Sequence, residues 1–498
     1  MKYTNPVIKG FYADPSVCKC DKSGKYYLVT STMQYFPGVP LLESDDLVNW
    51  THIGNCLTRP SQIKLETVGS SGGVFAPTIR CNNGRFYMTT TNSTTQENFY
   101  VWTDDIYGEW SDPVDVEQGG IDPSLYFEDG KAFFMSNGVD DNGIDGITMC
   151  EINIETGKKL SPSKSIWQGT GGRYLEAPHL YKINGRYLLL AAEGGTEFGH
   201  MVTYAMSDNP FGPFTPYPKN PVLTNRDRGG FEIQGIGHGD LIEDDNGNWW
   251  LLCLGFRQIG QWEPFHHLGR EVFLTPVTFG EDGWFTAGNG TTEKEYETDR
   301  IADTVVQRKL DDITFENTDW KIKWCHLRIP NMDNYTLEKD KAILRGTDIS
   351  LDKADSPTFI GIRQQDFKAE ITCDVSVDKG EAGITIYMDE NHHYDLAIRQ
   401  TDSGYEVIER LNVGDIKSVE KSYAIKIGSA KLIINADNYG YAFSLSQGGE
   451  KVYLGSAQTR YLSTEVATGF TGVFIGLYAY DKDANNTAEF SNLRIEYK

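Results

Sequence analysis

Ala13-Asp14-Pro15-Ser16-Val17-Cys18-Lys19-Cys20-Asp21-Lys22-Ser23-Gly24-Lys25-Tyr26-Tyr27 reads as a short strand, a polar turn closed by glycine, and the aromatic start of a second strand, which is a hairpin. The same unit returns four times: Ala76-Pro77-Thr78 leading to Gly84-Arg85-Phe86-Tyr87, Asp122-Pro123-Ser124 leading to Gly130-Lys131-Ala132-Phe133, Glu176-Ala177-Pro178-His179 leading to Gly185-Arg186-Tyr187, and His238-Gly239-Asp240 leading to Gly247-Asn248-Trp249-Trp250. Aligned on Asp14, Ala76, Asp122, Glu176 and His238, the copies begin 62, 46, 54 and 62 residues apart, enough for a four-stranded blade with variable loops. A second motif, Ser44-Asp45-Asp46, Thr103-Asp104-Asp105 and Ser207-Asp208-Asn209, marks a later strand and turn of the same unit. A lone hairpin of this kind buries no core, whereas five arranged radially close one another's edges. The spacing therefore predicts a five-bladed β-propeller over residues 1–300.

Near Thr298-Asp299-Arg300 the repeat stops. Beyond it Ala369–Val377 alternates strictly with period two, and Gly383–Tyr387 and Lys431–Ile434 alternate more loosely. Residues 301–498 are expected to form a β-sandwich, a concanavalin-like jelly roll, so the fold class is all-β. Composition agrees: glycine is 51 of 498 residues, which suits many turns.

The formal net charge of −24 offers no source of phosphate neutralisation, so nucleic acid and anionic membrane surfaces are not expected partners. The start lacks a signal-peptide pattern and no apolar run spans a bilayer, which gives a cytoplasmic expectation with eight reduced cysteines. His266-His267 and His392-His393 lack the spacing of a zinc site, and Gly69-Ser70-Ser71-Gly72-Gly73 matches a nucleophile elbow but leads into a strand. No catalytic metal and no required cofactor are expected.

In a propeller the innermost strands line one central funnel, so the aligned positions converge there. Asp14, Asp122, Glu176 and His238 are a surplus of polar groups for structure alone. Crowded carboxyls disfavour each other's ionisation, which leaves one holding its proton near neutral pH. One acid that protonates a leaving oxygen and one carboxylate that acts at the anomeric carbon are the requirement of glycoside hydrolysis. Glu176 is assigned as general acid, Asp14 as general base, and Asp122 as the neighbour that raises and orients the acid. The alternative is that Asp-Pro and Glu-Ala-Pro are ordinary turn signals.

Asn5-Pro6-Val7, Phe11–Ser16, Tyr35–Val39, Gly72–Pro77, Ile121–Leu125, Glu176–Tyr181 and Leu268-Gly269-Arg270-Glu271 together resemble glycoside hydrolase family 43, in particular its two-domain β-xylosidases and α-L-arabinofuranosidases. The resemblance spans the chain. It implies an inverting, exo-acting enzyme that releases terminal xylose or arabinose from a small oligosaccharide, with base, modulator and acid at Asp14, Asp122 and Glu176. Inversion implies an acid–base separation of about 6.5–9.5 Å.

The resemblance further places Arg270 on the sugar hydroxyls, and Phe36 and Phe75 either as walls for a sugar face or as packing. It puts His238 near Asp14 and Asp122, with a calcium ion or water beside it in some relatives, and Phe470 either closing the pocket or in the sandwich core. Homo-oligomers occur among such enzymes. Phe75 stands where many relatives have Trp, and His266-His267 where they have Cys-Pro; both replacements are expected near the pocket mouth. Two rival readings are a retaining fructofuranosidase-like hydrolase, whose Asn-Asp-Pro-Asn start is replaced here by Ala13–Ser16, and a non-catalytic carbohydrate-binding propeller.

Overall fold

The computed structural model describes residues 1–498. Five four-stranded antiparallel sheets follow one another in the chain, and within each the strands run outward in order. Their innermost strands are Ser16–Cys20, Thr78–Asn82, Ile121–Glu128, Glu176–Ile183 and Ile233–Glu243, which neighbour one another around a ring. Each sequence repeat is thus the first two strands of a blade, and the acidic second motif is the turn after the third strand. Second strands such as Arg186–Glu193 are buried on both faces because each sheet is covered by a blade on either side.

The ring closes by joining its chain ends. Lys2–Thr4 pairs with Glu295–Glu297. The Asn5 side chain behaves as an extra peptide group, donating to Leu274 O and Glu293 O at 3.0 Å each and accepting from Leu274 N at 2.9 Å.

The chain then enters a sandwich at Ile313–Thr314. One sheet has eight strands and the other six, and 42 buried residues fill the space between and around them. Ala369–Val377 alternates buried and less buried residues as its period-two pattern predicts. The one α-helix, Thr464–Ala467, has four residues. No helix is long and apolar enough to cross a membrane, and all eight cysteines are free thiols.

The two parts share a core. Phe11, Ala13, Met33 and Tyr35 of the propeller cluster with Phe359, Tyr387, Phe474 and Tyr478 on the outer face of the six-stranded sheet, and Tyr35 stacks on Phe474 with centroids 3.9 Å apart. Buried arginines add directional ties: Arg363 Nε donates to Phe11 O at 2.7 Å and Arg328 Nε to Val68 O at 2.5 Å. His266 and His267, expected near the pocket mouth, lie in this interface instead. His266 bonds Glu465 at 2.8 Å and stacks on Phe256, and His267 is wholly buried beside Phe367 and Tyr441. Seven buried core clusters in all organise the chain, and none mixes the sandwich interior with the blade interiors beyond Leu268.

Close approach at the interface depends on two glycines. A Cβ on Gly472 would lie 2.3 Å from Leu268 O, and one on Gly269 would lie 3.0 Å from Gly472 Cα. Gly472→Ala is therefore expected to lift the loop carrying Phe470 off the propeller and to lower kcat/KM on the order of a hundredfold, the cost of misplacing positioning groups by about 1 Å. Steady-state kinetics beside a thermal melt checks this; unchanged kinetics would show that the loop does not shape the site.

Candidate active site

The innermost strands leave regular pairing at or near the residues that face the funnel: Asp14 lies two residues before its strand, Asp122 and Ala177 are the second residues of theirs, and His238 is within the longest. Asp14, Asp122, Ala177 and His238 all take left-handed backbone conformations, with φ of 56°, 53°, 56° and 45°. The strand register breaks between Ile121 and Ser124, between Glu176 and His179, and between Gln234 and Gly239. Such conformations cost energy in a non-glycine residue and persist where surrounding structure imposes them. Here the support lies two residues further along. Asp240, fully buried, accepts from Ser16 Oγ at 2.7 Å, Val17 N at 3.0 Å and Arg80 at 2.8 Å, and from the Tyr181 hydroxyl. Ser124 Oγ donates to Pro178 O at 2.5 Å. These bonds tie the innermost strands together beneath the residues that face the funnel.

Asp14 Oδ1 accepts from Arg270 at 2.8 Å and Oδ2 from Ser31 Oγ at 2.7 Å. Burial pushes its carboxyl up, but Arg270, then His238 and Ser31, outweigh that and hold it below the usual carboxylate range. Asp122 accepts from Ala177 N at 3.2 Å, and burial, Glu176 and Asp14 push it well above its usual value. Glu176, half-buried at the start of its strand, is pushed up to about 7 by burial and the Asp14 charge, with Arg270 opposing. The Asp14 charge thus raises both other carboxyls, and Glu176 in turn is among the causes that push Asp122 up. The reason is electrostatic: Arg270 keeps Asp14 charged, and that charge makes ionisation costly for both other carboxyls.

His238 lies between two carboxylates, its Nδ1 3.7 Å from Asp14 and 3.9 Å from Asp122, beyond hydrogen-bonding reach. Burial lowers its pKa from the ordinary histidine value, with the Asp14 charge opposing. Calcium takes six to eight oxygen ligands; here His238 offers nitrogen, both Asp14 oxygens are taken, and no three His, Cys, Asp or Glu side chains converge as a cation cage. The residues present do not fit that ion.

Arg270 is a buried pin. Its Nη1 donates to Thr196 Oγ1 at 2.9 Å as well as to Asp14, and its Nη2 donates to Phe470 O at 3.1 Å. Phe470 is 41% exposed, its ring stands edge-on to Phe75 with centroids 6.2 Å apart, and Arg270 lies 5.6 Å from its centroid. Phe470 and Phe75 thus make one aromatic wall, and Phe470 is no part of the sandwich core. Phe36 is not in that wall: it is packed with Cys18, Tyr27 and Leu57 in the core of blades I and II, and its strand Tyr35–Phe36 pairs with His326–Leu327. Its alternation with Tyr35 decides this, since Tyr35 faces the sandwich.

Sequence reasoning missed Ser31, Thr196 and Met33, the last in a left-handed turn whose N–H and carbonyl both bond Val74 next to Phe75. Only the Gly194-Gly195 pair before Thr196 hinted at a special turn.

Because Arg270 favours the charged form of both Asp14 and Glu176, Arg270→Met is expected to shift both limbs of the pH–rate profile upward: Asp14 would lose its proton only at higher pH, and Glu176 would keep its proton to higher pH. Initial rates across pH check this; a shift of one limb alone would disprove the shared coupling.

A five-bladed propeller whose funnel sets a carboxyl held below its usual range beside two pushed above theirs, closed on one side by a sandwich loop, has the site of a glycosidase. The sequence model for glycosyl hydrolases family 43 matches residues 3–285, and that for a β-xylosidase C-terminal concanavalin A-like domain matches residues 312–496. The chain is 36% identical to a non-reducing-end α-L-arabinofuranosidase of Bacteroides ovatus over 97% of this chain and 92% of that one. It is 34% identical to a xylosidase/arabinosidase of Butyrivibrio fibrisolvens over 99% of each. Among solved structures, a xylan β-1,4-xylosidase of Bacillus halodurans superposes with a TM-score of 0.90 at 29% identity, covering 100% of both chains. The chain belongs to glycosyl hydrolase family 43. Family membership sets aside the fructofuranosidase-like and non-catalytic readings.

Proposed function

We propose that this glycosidase inverts configuration and acts from the non-reducing end, releasing terminal D-xylose or L-arabinofuranose from small oligosaccharides, with Glu176 as acid, Asp14 as base and Asp122 as the carboxyl that orients them. The observation that carries the reading is the opposed tuning of Asp14 and Glu176, one held ionised and the other pushed up to about 7.

Glu176 gives its proton to the glycosidic oxygen as the bond from that oxygen to the anomeric carbon breaks. Water adds to the anomeric carbon from the opposite face and loses a proton to Asp14. The released sugar has the inverted configuration, and solvent restores the proton on Glu176 and removes the one on Asp14. Asp122 stays protonated through the cycle, so it adds no further negative charge to repel the attacking water's partial charge. The Phe75–Phe470 wall supports exo action because it closes the funnel on that side, so that a chain terminus rather than a continuing chain meets it. The names of the Bacteroides ovatus and Butyrivibrio fibrisolvens relatives support both pentoses as substrates.

The test is initial-rate hydrolysis of aryl β-D-xylopyranoside and aryl α-L-arabinofuranoside side by side, with Glu176→Ala as control and the first-formed anomer followed by NMR. Cleavage of either with inversion, lost in the control, is the expected result. Cleavage of neither, or a retained anomer, would overturn it.

A further inference from the structure

Tyr174 is an aromatic residue that packing does not explain. It is 63% exposed and its backbone is left-handed, with φ of 53°, a conformation that is unfavourable for a bulky side chain. Yet the loop that carries it is held at several points. The wholly buried Glu193 carboxylate accepts from Thr170 N at 2.9 Å and Gly172 N at 2.7 Å, and also from the Thr170 and Thr203 hydroxyls. Gly169 and Gly172 press so closely on Glu193 that added Cβ atoms would lie 3.0 and 2.6 Å from its oxygens. Gly194 N donates to Arg173 O at 2.7 Å, Arg173 Nε returns a bond to Gly194 O at 3.1 Å, and the Arg173 guanidinium pairs with Glu197. A buried carboxylate and two clamped loops therefore hold an exposed, strained tyrosine in one place.

That place adjoins the chemistry. Tyr174 stands two residues before Glu176. The edge of its ring lies against Gly195, where a Cβ would be 2.9 Å away. The next residue, Thr196, accepts from Arg270, which bonds Asp14. The acid must reach the oxygen that departs with the leaving group, so the leaving group lies on the Glu176 side of the cleaved bond. An exposed aromatic face is suited to the apolar C–H face of a pyranose, and the half-exposed Arg173–Glu197 pair beside it offers donors and acceptors to ring hydroxyls.

We propose that Tyr174 is the platform of a leaving-group subsite that takes an uncharged pyranose, such as the next xylosyl unit of an oligosaccharide, and so sets the preference for sugar over non-sugar leaving groups. This rests on Glu176 being the acid.

The test compares wild type, Tyr174→Ala and Tyr174→Phe on two substrates with the same terminal sugar: a disaccharide, and the glycosyl fluoride, whose leaving group has no face to stack. The ratio of kcat/KM for disaccharide over fluoride is expected to fall about ten- to a hundredfold in Tyr174→Ala, chiefly through KM, and to recover in Tyr174→Phe. An unchanged ratio, whether both rates hold or both fall together, would overturn the subsite, since a tyrosine that merely supports the loop affects both substrates alike. Failure of the wild type on both substrates would instead overturn the glycosidase reading beneath it.

Discussion

Glu176→Gln is expected to slow hydrolysis of a disaccharide by about a hundred- to ten-thousandfold, and to slow an aryl glycoside with an acidic phenol leaving group far less. Glutamine keeps the volume of the side chain and a hydrogen-bonding amide but has no proton to give. An alkoxide leaving group needs that proton in the transition state, and a phenolate with a low pKa does not. The pH profile supplies a second readout. In the wild type the alkaline limb of kcat/KM is expected near pH 7, where Glu176 loses its proton, and the acidic limb below the ordinary carboxylate range, where Asp14 gains one. The working range is therefore the window in which Asp14 is ionised and Glu176 protonated. In Glu176→Gln the alkaline limb should vanish while the acidic one stays. An alkaline limb that survives in the variant would remove Glu176 from the role of acid.

Asp14→Asn is expected to reduce both disaccharide and activated-glycoside hydrolysis by about a thousandfold or more, within the range for loss of a positioned base. Water must be deprotonated whatever leaves, so a better leaving group offers no rescue, in contrast with the acid variant. Asparagine is the informative replacement because it tolerates the left-handed backbone at this position and keeps an oxygen to accept from Arg270 while its amide N–H can donate to Ser31 Oγ, so that loss of rate is separable from loss of fold. The variant also leaves Arg270, which is buried, facing a neutral partner, and should melt at a lower temperature. Activity within tenfold of wild type in a folded Asp14→Asn protein would assign the base elsewhere.

These two variants touch residues that were legible in the chain because both begin a repeat. A propeller is built from local hairpins, and a local hairpin writes itself into consecutive residues: turn glycines, paired aromatics and the polar residue that opens the strand. Once the repeats are aligned, Asp14, Asp122, Glu176 and His238 must face one funnel. The period-two run of Ala369–Val377 is local in the same way, and its burial follows the pattern.

What local patterns leave undecided is set by a second, distant partner. Phe36 and Tyr35 are adjacent aromatics, and only the pairing of their strand with His326–Leu327 decides which one turns into the blades. His266-His267 follows blade V toward Arg270, yet the sandwich covers it through Glu465. The opposite electrostatic roles of Asp14 and Asp122, identical in residue type and in Asp-Pro-Ser context, follow from which of them lies 2.8 Å from Arg270.

Five blades, a following sandwich and the three acids at the funnel can be read from the chain alone, because each is encoded by neighbours within one hairpin. Which acid stays charged, which aromatics wall the site and what holds Tyr174 beside Glu176 emerge only when the chain is folded. Those properties arise from contacts such as Arg270 with Asp14 and with Phe470 O, each made across 200 residues or more, and no local pattern carries the geometry of such a contact.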